Sequence, residues 1–202
     1  MKERPILFSG EMVRAILAGK KTQTRRPVQP RTLFGEPGDR LWVRETFAPG
    51  HFFYPHSEFM YAADLYADPD AFARNPIHLN RDCKPGNTSS CWACWRENGF
   101  GWRPSIHMPR AASRITLKVT AVRLQRLRDI TTSDIIAEGF DVPDVDYTVA
   151  DHPWTLEAER DEHARTVFLK AWNEIYGKNR FLVWNRNPEV WACEFKVAEV
   201  RS

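Results

Sequence analysis

Residues 16–26 read ILAGKKTQTRR, and the rest of the chain is interpreted from this stretch outward. Upstream of it, apolar residues recur at helical spacing behind Ser9, which stands in the position of an N-cap. Gly19 stands where such a helix would end, and the alternation of a strand begins after it. The pattern predicts a helix that passes directly into a strand, with Lys21 at the junction.

Beyond the junction, alternation puts Thr22, Thr24 and Arg26 on one face of the predicted strand. A threonine hydroxyl is a weak nucleophile until a neighbouring base takes its proton. A lysine can be that base when burial or nearby cations lower its pKa. The stretch therefore fits a nucleophilic site, and its structural alternative is a surface turn with solvated lysines.

The composition indicates one large globular domain, or one domain with a long insertion. The chain has 202 residues, of which 43% are hydrophobic and 27% are charged, so it can bury a substantial core. It contains no apolar run of the roughly 18 residues that a membrane span needs. The first residues lack the apolar segment of a signal peptide. We expect a cytoplasmic protein, and the sequence implies neither a membrane nor a protein partner.

The charge is unevenly distributed along the chain, although the net value is only +3. Residues 1–50 carry ten basic and five acidic side chains, and residues 98–128 carry seven basic and no acidic ones. Residues 129–165 reverse this, with eleven acidic and two basic side chains. Two basic segments that meet in space would form an anion-binding face, for which nucleic acid is the natural partner. An ordinary dipolar protein is the alternative.

Glu45 interrupts an otherwise apolar strand face. Residues 41–47 alternate, which places Glu45 beside Leu41, Val43 and Phe47. A carboxylate that points inward needs a partner. We therefore expect Glu45 either to be paired or to line a polar cleft.

The remaining strands and helices predict an α+β fold. Residues 5–8, 115–121, 181–184 and 190–200 read as strands, and a short helix is predicted over 130–140. In that helix Thr131 is the cap, Asp134 follows three residues later and Gly139 is the end. Because no βαβ rhythm repeats, the set predicts a curled antiparallel sheet or a small β-barrel with flanking helices.

The best amphipathic helix of the chain is predicted behind an acidic loop at 141–154 and ends at Gly177. We expect its apolar stripe to be buried in the core. The stripe consists of Ala164, Val167, Phe168, Ala171, Trp172 and Ile175.

Residues 49–102 are predicted to be a loop-rich insertion that contains Cys83, Cys91 and Cys94. In a chain without a secretion signal, this spacing suggests a metal before a disulfide. Structural zinc needs four ligands, and His78 is the nearest candidate for the fourth, with His51, His56 and His107 as other choices. Free thiols or a redox pair are the alternatives. Cys193 alternates with aromatic residues, and we expect it in the core.

The order of these pieces resembles the ASCH domain, which belongs to the PUA-like superfold of small β-barrels with flanking helices. The resemblance covers residues 4–48 and 102–200 and implies one domain over residues 1–202 with the insertion inside it. It is carried by GKKTQTRR at 19–26, PGDRLWVRE at 37–45 and DITTSDIIAEGF at 129–140. WRPSIHMPRAASRITL at 102–117 and NPEVWACEF at 187–195 look like a phage or prophage branch.

One bacterial branch of this superfamily removes acyl groups from N4-acylated cytidines such as N4-acetylcytidine. Its Lys-x-x-Thr falls on Lys21 and Thr24, and its Glu, near the end of a short helix after a strand, matches Glu138. The resemblance implies that Lys21 activates Thr24, or a water held by it, and that Glu138 handles proton transfer. Arg26 is a candidate to bind substrate or the oxyanion, and no cofactor is implied for catalysis. The structural alternative is a buried, hydrogen-bonded brace.

Further candidates to contact a substrate are Arg44, Glu45, His107 and Arg110. Other members of the superfamily bind or process RNA, so the alternative function is an RNA-binding module without hydrolase activity. The side chains that suit phosphate contact and base stacking are Arg44, Arg103, Arg110, Arg114, Trp42 and Trp102. The expected partner is thus a modified nucleoside or RNA. A metal-dependent nuclease ranks below these two functions, because the sequence shows no cluster of metal-binding carboxylates.

Overall fold

The structure, a computed structural model, describes residues 1–28, 34–49, 59–65, 102–143 and 153–201. The strands are β1 (Glu3–Leu7), β2 (Gln23–Pro27), β3 (Arg40–Arg44), β4 (Phe47–Pro49), β5 (Phe59–Tyr61), β6 (Ile115–Arg126) and β7 (Glu189–Val200). The α-helices are α1 (Gly10–Leu17), α2 (Ala62–Leu65), α3 (Thr132–Ala137) and α4 (Pro153–Tyr176). Short 3₁₀ helices cover Ser105–His107, Arg110–Ala112, Leu127–Asp129 and Trp184–Arg186.

Two sheets organise the strands. A five-stranded sheet has the order β1-β3-β6-β7-β2, and β4 pairs with β5 in a two-stranded sheet. Strand β2 is antiparallel to β7, with Thr24 opposite Cys193 and Arg26 opposite Trp191. The predicted α+β class is therefore confirmed.

The chain divides into two compact units. Unit 1 comprises residues 1–2, 15–40 and 118–196, and unit 2 comprises residues 3–14, 41–117 and 197–202. The candidate catalytic residues lie in unit 1. The prediction of a single domain over 1–202, with 49–102 as an insertion, stays a prediction.

The predicted passage from helix to strand is confirmed. Ser9 caps α1, since the amide N of Met12 lies 3.4 Å from its Oγ. Gly19 has φ +72°, a left-handed conformation that glycine adopts without steric cost. The chain leaves the helix there and enters β2 four residues later, which places Lys21 in the junction.

The core of unit 1 is built from α4, α3 with the segment that precedes it, the 3₁₀ helix Trp184–Arg186 and the start of β7. Its buried residues are Leu127, Ile130, Ile135, Ala164, Phe168, Trp172, Trp184 and Val190. Helix α4 begins at Pro153, so the predicted acidic loop ends earlier than expected. Ile175 is 55% exposed, because it lies in the last turn of α4, on the side turned away from this core.

The strand predicted over 181–184 is wrong. These residues form turns and the beginning of a 3₁₀ helix, and Phe181 is 66% exposed. The segment is attached to α4 instead, since Trp172 Nε1 donates to the carbonyl of Leu182 at 2.7 Å. The amide of Trp184 likewise donates to Asn173 Oδ1 at 3.3 Å.

Unit 2 has its own small core of Phe47, Met108 and Ala112. Part of the predicted insertion is regular here, because residues 59–65 form β5 and α2. Tyr61 of β5 donates its hydroxyl to the carbonyl of Ala112 at 3.0 Å. Across all the described ranges, no helix has the length and apolar character that crossing a membrane requires.

Candidate active site

The start of β2 is attached to the end of α3, which brings Lys21 to Glu138. The amide of Thr22 donates to the carbonyl of Ala137 at 2.8 Å. Glu138 follows Ala137 directly as the C-cap of α3. A single backbone hydrogen bond thus joins two segments that are far apart in the sequence and places a lysine beside a glutamate.

Helix α3 is fixed at both ends in the way the sequence predicts. Thr131 and Asp134 form a reciprocal capping box at its start. Gly139 has φ +92° at its end, and a Cβ there would lie 3.0 Å from Lys21 Cβ and 3.1 Å from Ala15 Cβ. Glycine is favoured at this position on both grounds, because other residues rarely adopt this conformation and a Cβ would crowd its neighbours.

The Lys21 side chain is 0% exposed and its ammonium group has three acceptors. Nζ lies 2.9 Å from the carbonyl of Gln23, 2.7 Å from the carbonyl of Glu138 and 2.9 Å from Glu138 Oε2. These acceptors match the three donors of an ammonium group. The lysine is therefore held in one orientation, in contact with a carboxylate.

The pKa of Lys21 is lowered from the ordinary lysine value. Burial is the largest cause, and the positive charges of Arg26 and Arg25 act in the same direction. The charge of Glu138 and its hydrogen bond raise the pKa but do not outweigh burial. A buried amine of this kind gives up its proton more readily than a surface lysine does.

Glu138 divides its two oxygens between two cations. Oε2 accepts from Lys21, while Oε1 lies 3.2 Å from Arg25 Nη1. The Arg25 side chain is only 1% exposed, and its Nη2 forms a second ion pair with Asp134 Oδ2 at 2.8 Å. Arg25 also donates to Gln23 Oε1. The carboxylate of Glu138 is thus oriented from both sides.

Asp134 links the capping box to this ion-pair network. Burial works to raise the pKa of Asp134, but Arg25, the amide of Thr131 and Arg123 outweigh it and hold the pKa below the ordinary value. Arg123 Nη2 lies 2.7 Å from Asp134 Oδ1. The carboxylate that caps α3 therefore stays ionised beside Arg25.

Thr24 is fully buried in β2, and a cation contacts its hydroxyl. Arg26 Nη1 donates to Thr24 Oγ1 at 3.2 Å and to the carbonyl of Arg25 at 3.1 Å. A guanidinium at this distance favours the deprotonated form of a hydroxyl. Arg26 itself is half-buried.

Sequence reasoning missed Tyr176, the last residue of α4. Its ring centroid lies 4.5 Å from that of Trp172. Burial raises the pKa of Tyr176, and a hydrogen bond and the charge of Arg26 oppose that rise. A tyrosine at the end of a long helix carries no local signal that it contacts a strand 150 positions earlier.

Cys193 lies opposite Thr24 across the β2–β7 pair and is buried, as predicted. Burial raises the pKa of its thiol to about 12, with the charges of Glu138 and Glu194 acting in the same direction. The thiol therefore stays protonated at neutral pH. It packs as a small apolar side chain on the strand next to that of the threonine.

In unit 2, Glu45 is buried and paired, which is one of the two outcomes predicted for it. Arg114 contacts both of its oxygens, with Nε 3.0 Å from Oε1 and Nη2 3.1 Å from Oε2. The same guanidinium binds Asp64 at 2.7 and 2.8 Å and lies 4.0 Å from the Tyr61 ring centroid. Arg114, predicted as a phosphate contact, is thus held between two carboxylates.

The other residues predicted to contact substrate also lie in unit 2. The Arg44 guanidinium lies 4.7 Å from the centroid of the Trp42 ring. Arg110 binds Glu3 Oε2 at 3.1 Å and Thr116 Oγ1 at 3.2 Å. His107 is exposed in a 3₁₀ helix. The structure brings Lys21, Thr24, Arg26 and Glu138 into unit 1, whereas Arg44, Glu45, His107 and Arg110 belong to unit 2, and their proposed roles stay predictions.

The predicted metal ligands Cys83, Cys91, Cys94 and His78 lie outside the described residues, as do His51 and His56. Within the described part of the chain, no group of three or more His, Cys, Asp or Glu side chains is arranged to hold a metal ion. The zinc hypothesis stays a prediction about the insertion at 49–102.

The chain matches no protein-family model, and no curated protein matches it. Among solved structures it is similar to an ASCH domain from Lactobacillus crispatus JV V101, at 12% identity and a TM-score of 0.37. The match covers 98% of this chain and 79% of that one.

Unit 1 contains a buried amine, a buried hydroxyl and a carboxylate. The amine has a lowered pKa, the hydroxyl contacts a guanidinium, and the carboxylate contacts the amine. These are the groups that acyl transfer needs: a base, a nucleophile or water-holding group, a proton relay and a positive charge for the oxyanion.

Proposed function

We propose that the protein hydrolyses the amide bond of N4-acylated cytidine or cytosine derivatives. The observation that supports it is the buried contact of 2.9 Å between Lys21 Nζ and Glu138 Oε2, in the same unit as the Thr24 hydroxyl. The substrate class comes from the resemblance of the Lys21, Thr24 and Glu138 motifs. The site supports the reaction class, which is acyl transfer.

In the proposed mechanism, neutral Lys21 accepts the proton of Thr24 or of a water held by it. The oxygen then adds to the acyl carbonyl, and Arg26 stabilises the negative charge that develops on the carbonyl oxygen. The C–N4 bond breaks, N4 takes a proton relayed by Lys21 and Glu138, and the amine of cytidine leaves. If Thr24 carries the acyl group, a water molecule releases it as the carboxylic acid.

The leaving group reduces the catalysis that the site has to provide. Cytosine N4 is attached to an electron-withdrawing ring, so it leaves more easily than an alkyl amine does. General acid–base catalysis by one positioned group contributes about 10²–10⁴-fold. A single lysine and glutamate are therefore chemically adequate for this substrate.

An assay against N4-acylated cytosine, cytidine and deoxycytidine tests the proposal. Release of the free base or nucleoside is followed by chromatography for the wild type, Lys21→Ala and Thr24→Ala, with the fold checked by circular dichroism. We expect turnover by the wild type and a loss of about 10²–10⁴-fold or more in either variant. Wild-type turnover by folded Lys21→Ala would reject the assignment.

The second candidate function is RNA binding without hydrolysis, in which the Lys21 network is a brace. The observation that favours it is burial: Thr24 is 0% exposed, and the side chains of Lys21 and Glu138 are 0% and 5% exposed. A salt-dependent affinity for RNA without turnover of any acylated cytidine would select this candidate.

A further inference from the structure

The segment that connects α4 to β7 is basic and exposed. Residues 177–187, here called the basic loop, read GKNRFLVWNRN and contain three basic and no acidic side chains. All three, Lys178, Arg180 and Arg186, are exposed. Cations that project from one short segment produce a local positive potential that attracts polyanions.

The basic loop also exposes an aromatic ring. Phe181 is 66% exposed, and the Arg180 guanidinium lies 4.7 Å from its ring centroid. Single exposed apolar side chains are common in folded proteins, so the informative feature here is the cation beside the ring. Proteins that bind single-stranded nucleic acid combine aromatic rings with nearby cations. The bases stack on the rings, and the phosphates pair with the cations.

The backbone of the basic loop is held in place from within. The amides of Asn179 and Leu182 donate to the carbonyls of Tyr176 and Asn179, each at 2.9 Å. Asn179 Oδ1 accepts from the amide of Phe181 at 3.0 Å. A backbone fixed in this way adds little to the ordering cost of binding.

A second pair of cations is attached to the end of the basic loop. The amide of Arg128 donates to Asn187 Oδ1 at 2.8 Å, and Arg126 Nη1 lies 3.4 Å from the carbonyl of Asn187. Both arginines are exposed. Glu189 lies 3.7 Å from Arg126 and offsets part of its charge. The positive surface thus extends beyond the loop through Arg128.

A cavity of about 420 Å³ adjoins this surface, with Arg128 and Trp184 on its wall. Its helical side carries Asp161 and Glu162 beside Arg165. The two carboxylates are balanced by Arg128 and Arg165, so the cavity has no excess positive charge to attract a phosphate. The phosphates are therefore assigned to the exposed cations of the loop and not to the cavity.

We propose that the basic loop, residues 177–187, forms a binding surface for single-stranded nucleic acid. The phosphates contact Lys178, Arg180 and Arg186, and a base stacks on Phe181. A double-stranded ligand fits less well, because its bases are already stacked and offer no free face. The surface is distinct from the arginines of unit 2 that the sequence predicted, and it does not depend on hydrolysis at Lys21.

Fluorescence anisotropy with a labelled single-stranded RNA of mixed sequence tests the proposal. Phe181→Ala is expected to raise Kd by about five- to a hundredfold, the effect of losing one base stack. Arg180→Ala/Arg186→Ala is expected to reduce the slope of log K against log salt by about 1.4, or about 0.7 for each phosphate contact. The matched control is Lys118→Ala/Lys196→Ala, which removes the same charge from two exposed positions elsewhere in unit 1.

Three outcomes would overturn the proposal. The first is a wild type that does not bind the RNA even at low salt. The second is equal weakening by the loop variant and by its control, which would mean attraction by net charge alone. The third is an unchanged Kd in Phe181→Ala together with equal binding of poly-glutamate, which would make the loop a general anion surface. Turnover of acylated cytidines is measured separately, so failure of one proposal leaves the other testable.

Discussion

Lys21 donates to both the backbone carbonyl and the side-chain carboxylate of Glu138, a residue 117 positions later in the chain. The two contacts are 2.7 and 2.9 Å long and are buried. The carbonyl fixes where the amine lies, and the carboxylate gives it a group with which to exchange a proton. The same geometry would serve a brace, so the decisive experiments separate stability from turnover.

Lys21→Ala should lower the turnover of an N4-acylated cytidine by about 10²–10⁴-fold, because the base is lost. The matched control is Lys20→Ala. Lys20 is the adjacent lysine, and its ion pair with Asp141 is exposed, with side chains 61% and 89% exposed. Kinetics and urea unfolding on both variants provide the measurement. Equal activity in the two folded variants would show that Lys21 takes no part in the chemistry.

Thr24→Val should abolish turnover, since valine keeps the shape of threonine and removes the hydroxyl that Arg26 contacts. Thr24→Ser should retain part of the activity, because its hydroxyl remains. Thr22→Val is the control at an exposed position just before β2. The kcat of each variant is compared with its melting temperature. A Thr24→Val enzyme with unchanged kcat would exclude a role for this hydroxyl.

The activity should rise with pH and reach its plateau below the ordinary lysine pKa of about 10.4. Lys21 acts as a base only when unprotonated, and burial lowers its pKa. The pH profile of kcat/KM reports that value in the free enzyme. A profile that still rises above the ordinary lysine pKa would contradict the lowered value.

The free energy of unfolding should also depend on pH because of the lowered pKa of Lys21. The unfolded chain holds the Lys21 proton to a higher pH than the folded chain does, so the free energy of unfolding rises with pH between the two pKa values. Lys21→Met removes the titrating group and should remove this rise. Urea unfolding at a series of alkaline pH values measures it in both proteins.

In unit 2, Arg114→Met should destabilise the protein by about 3–5 kcal/mol, because it leaves the carboxylate of Glu45 buried without its partner. The Glu45 side chain is 1% exposed. The other partner of Arg114 is Asp64, and the Asp64 side chain is 53% exposed. Asp64→Asn should therefore cost at most about 1 kcal/mol of stability. Urea unfolding compares the two. Similar losses of stability in the two variants would mean that burial does not determine how much an ion pair of Arg114 contributes.

The pH dependence of Arg114→Met follows from the same pair. Burial raises the pKa of Glu45, and Arg114 opposes that rise. Without Arg114 the pKa rises further, so the variant should lose more stability than the wild type as pH increases from acidic to neutral. Unfolding measured across that range would contradict this if the two curves stayed parallel.

The sequence predicted the elements around the site because local signals fix them. Ser9 and Gly19 define α1, and Thr131, Asp134 and Gly139 define α3. Each is a cap or a left-handed residue whose chemistry acts over a few positions. The motif resemblance then assigned Lys21 and Glu138 to one site.

The sequence did not predict the contacts that two further residues make in the network, because those contacts are with residues far away in the chain. Arg25 lies in β2, where residues on both faces are buried, so alternation does not indicate that it binds Glu138. Tyr176 ends α4, and nothing in the helical periodicity relates it to Arg26.

Residues 181–184 misled for another reason. The run FLVW has the composition of a strand, but α4 supplies hydrogen bonds from Trp172 and Asn173 that hold it as turns. Tertiary contacts override strand propensity here. The exposed Phe181 that carries the nucleic-acid proposal was hidden by this error.

Gly139 has a consequence for recognising this arrangement in other chains. A side chain there would crowd Lys21 Cβ at 3.0 Å and would be strained at a φ of +92°, so glycine is the residue that best suits the position after the glutamate. A motif for finding equivalent sites should therefore include the dipeptide Glu-Gly after the short helix, together with Lys-x-x-Thr. Glutamate alone would also select chains in which a larger residue crowds the lysine.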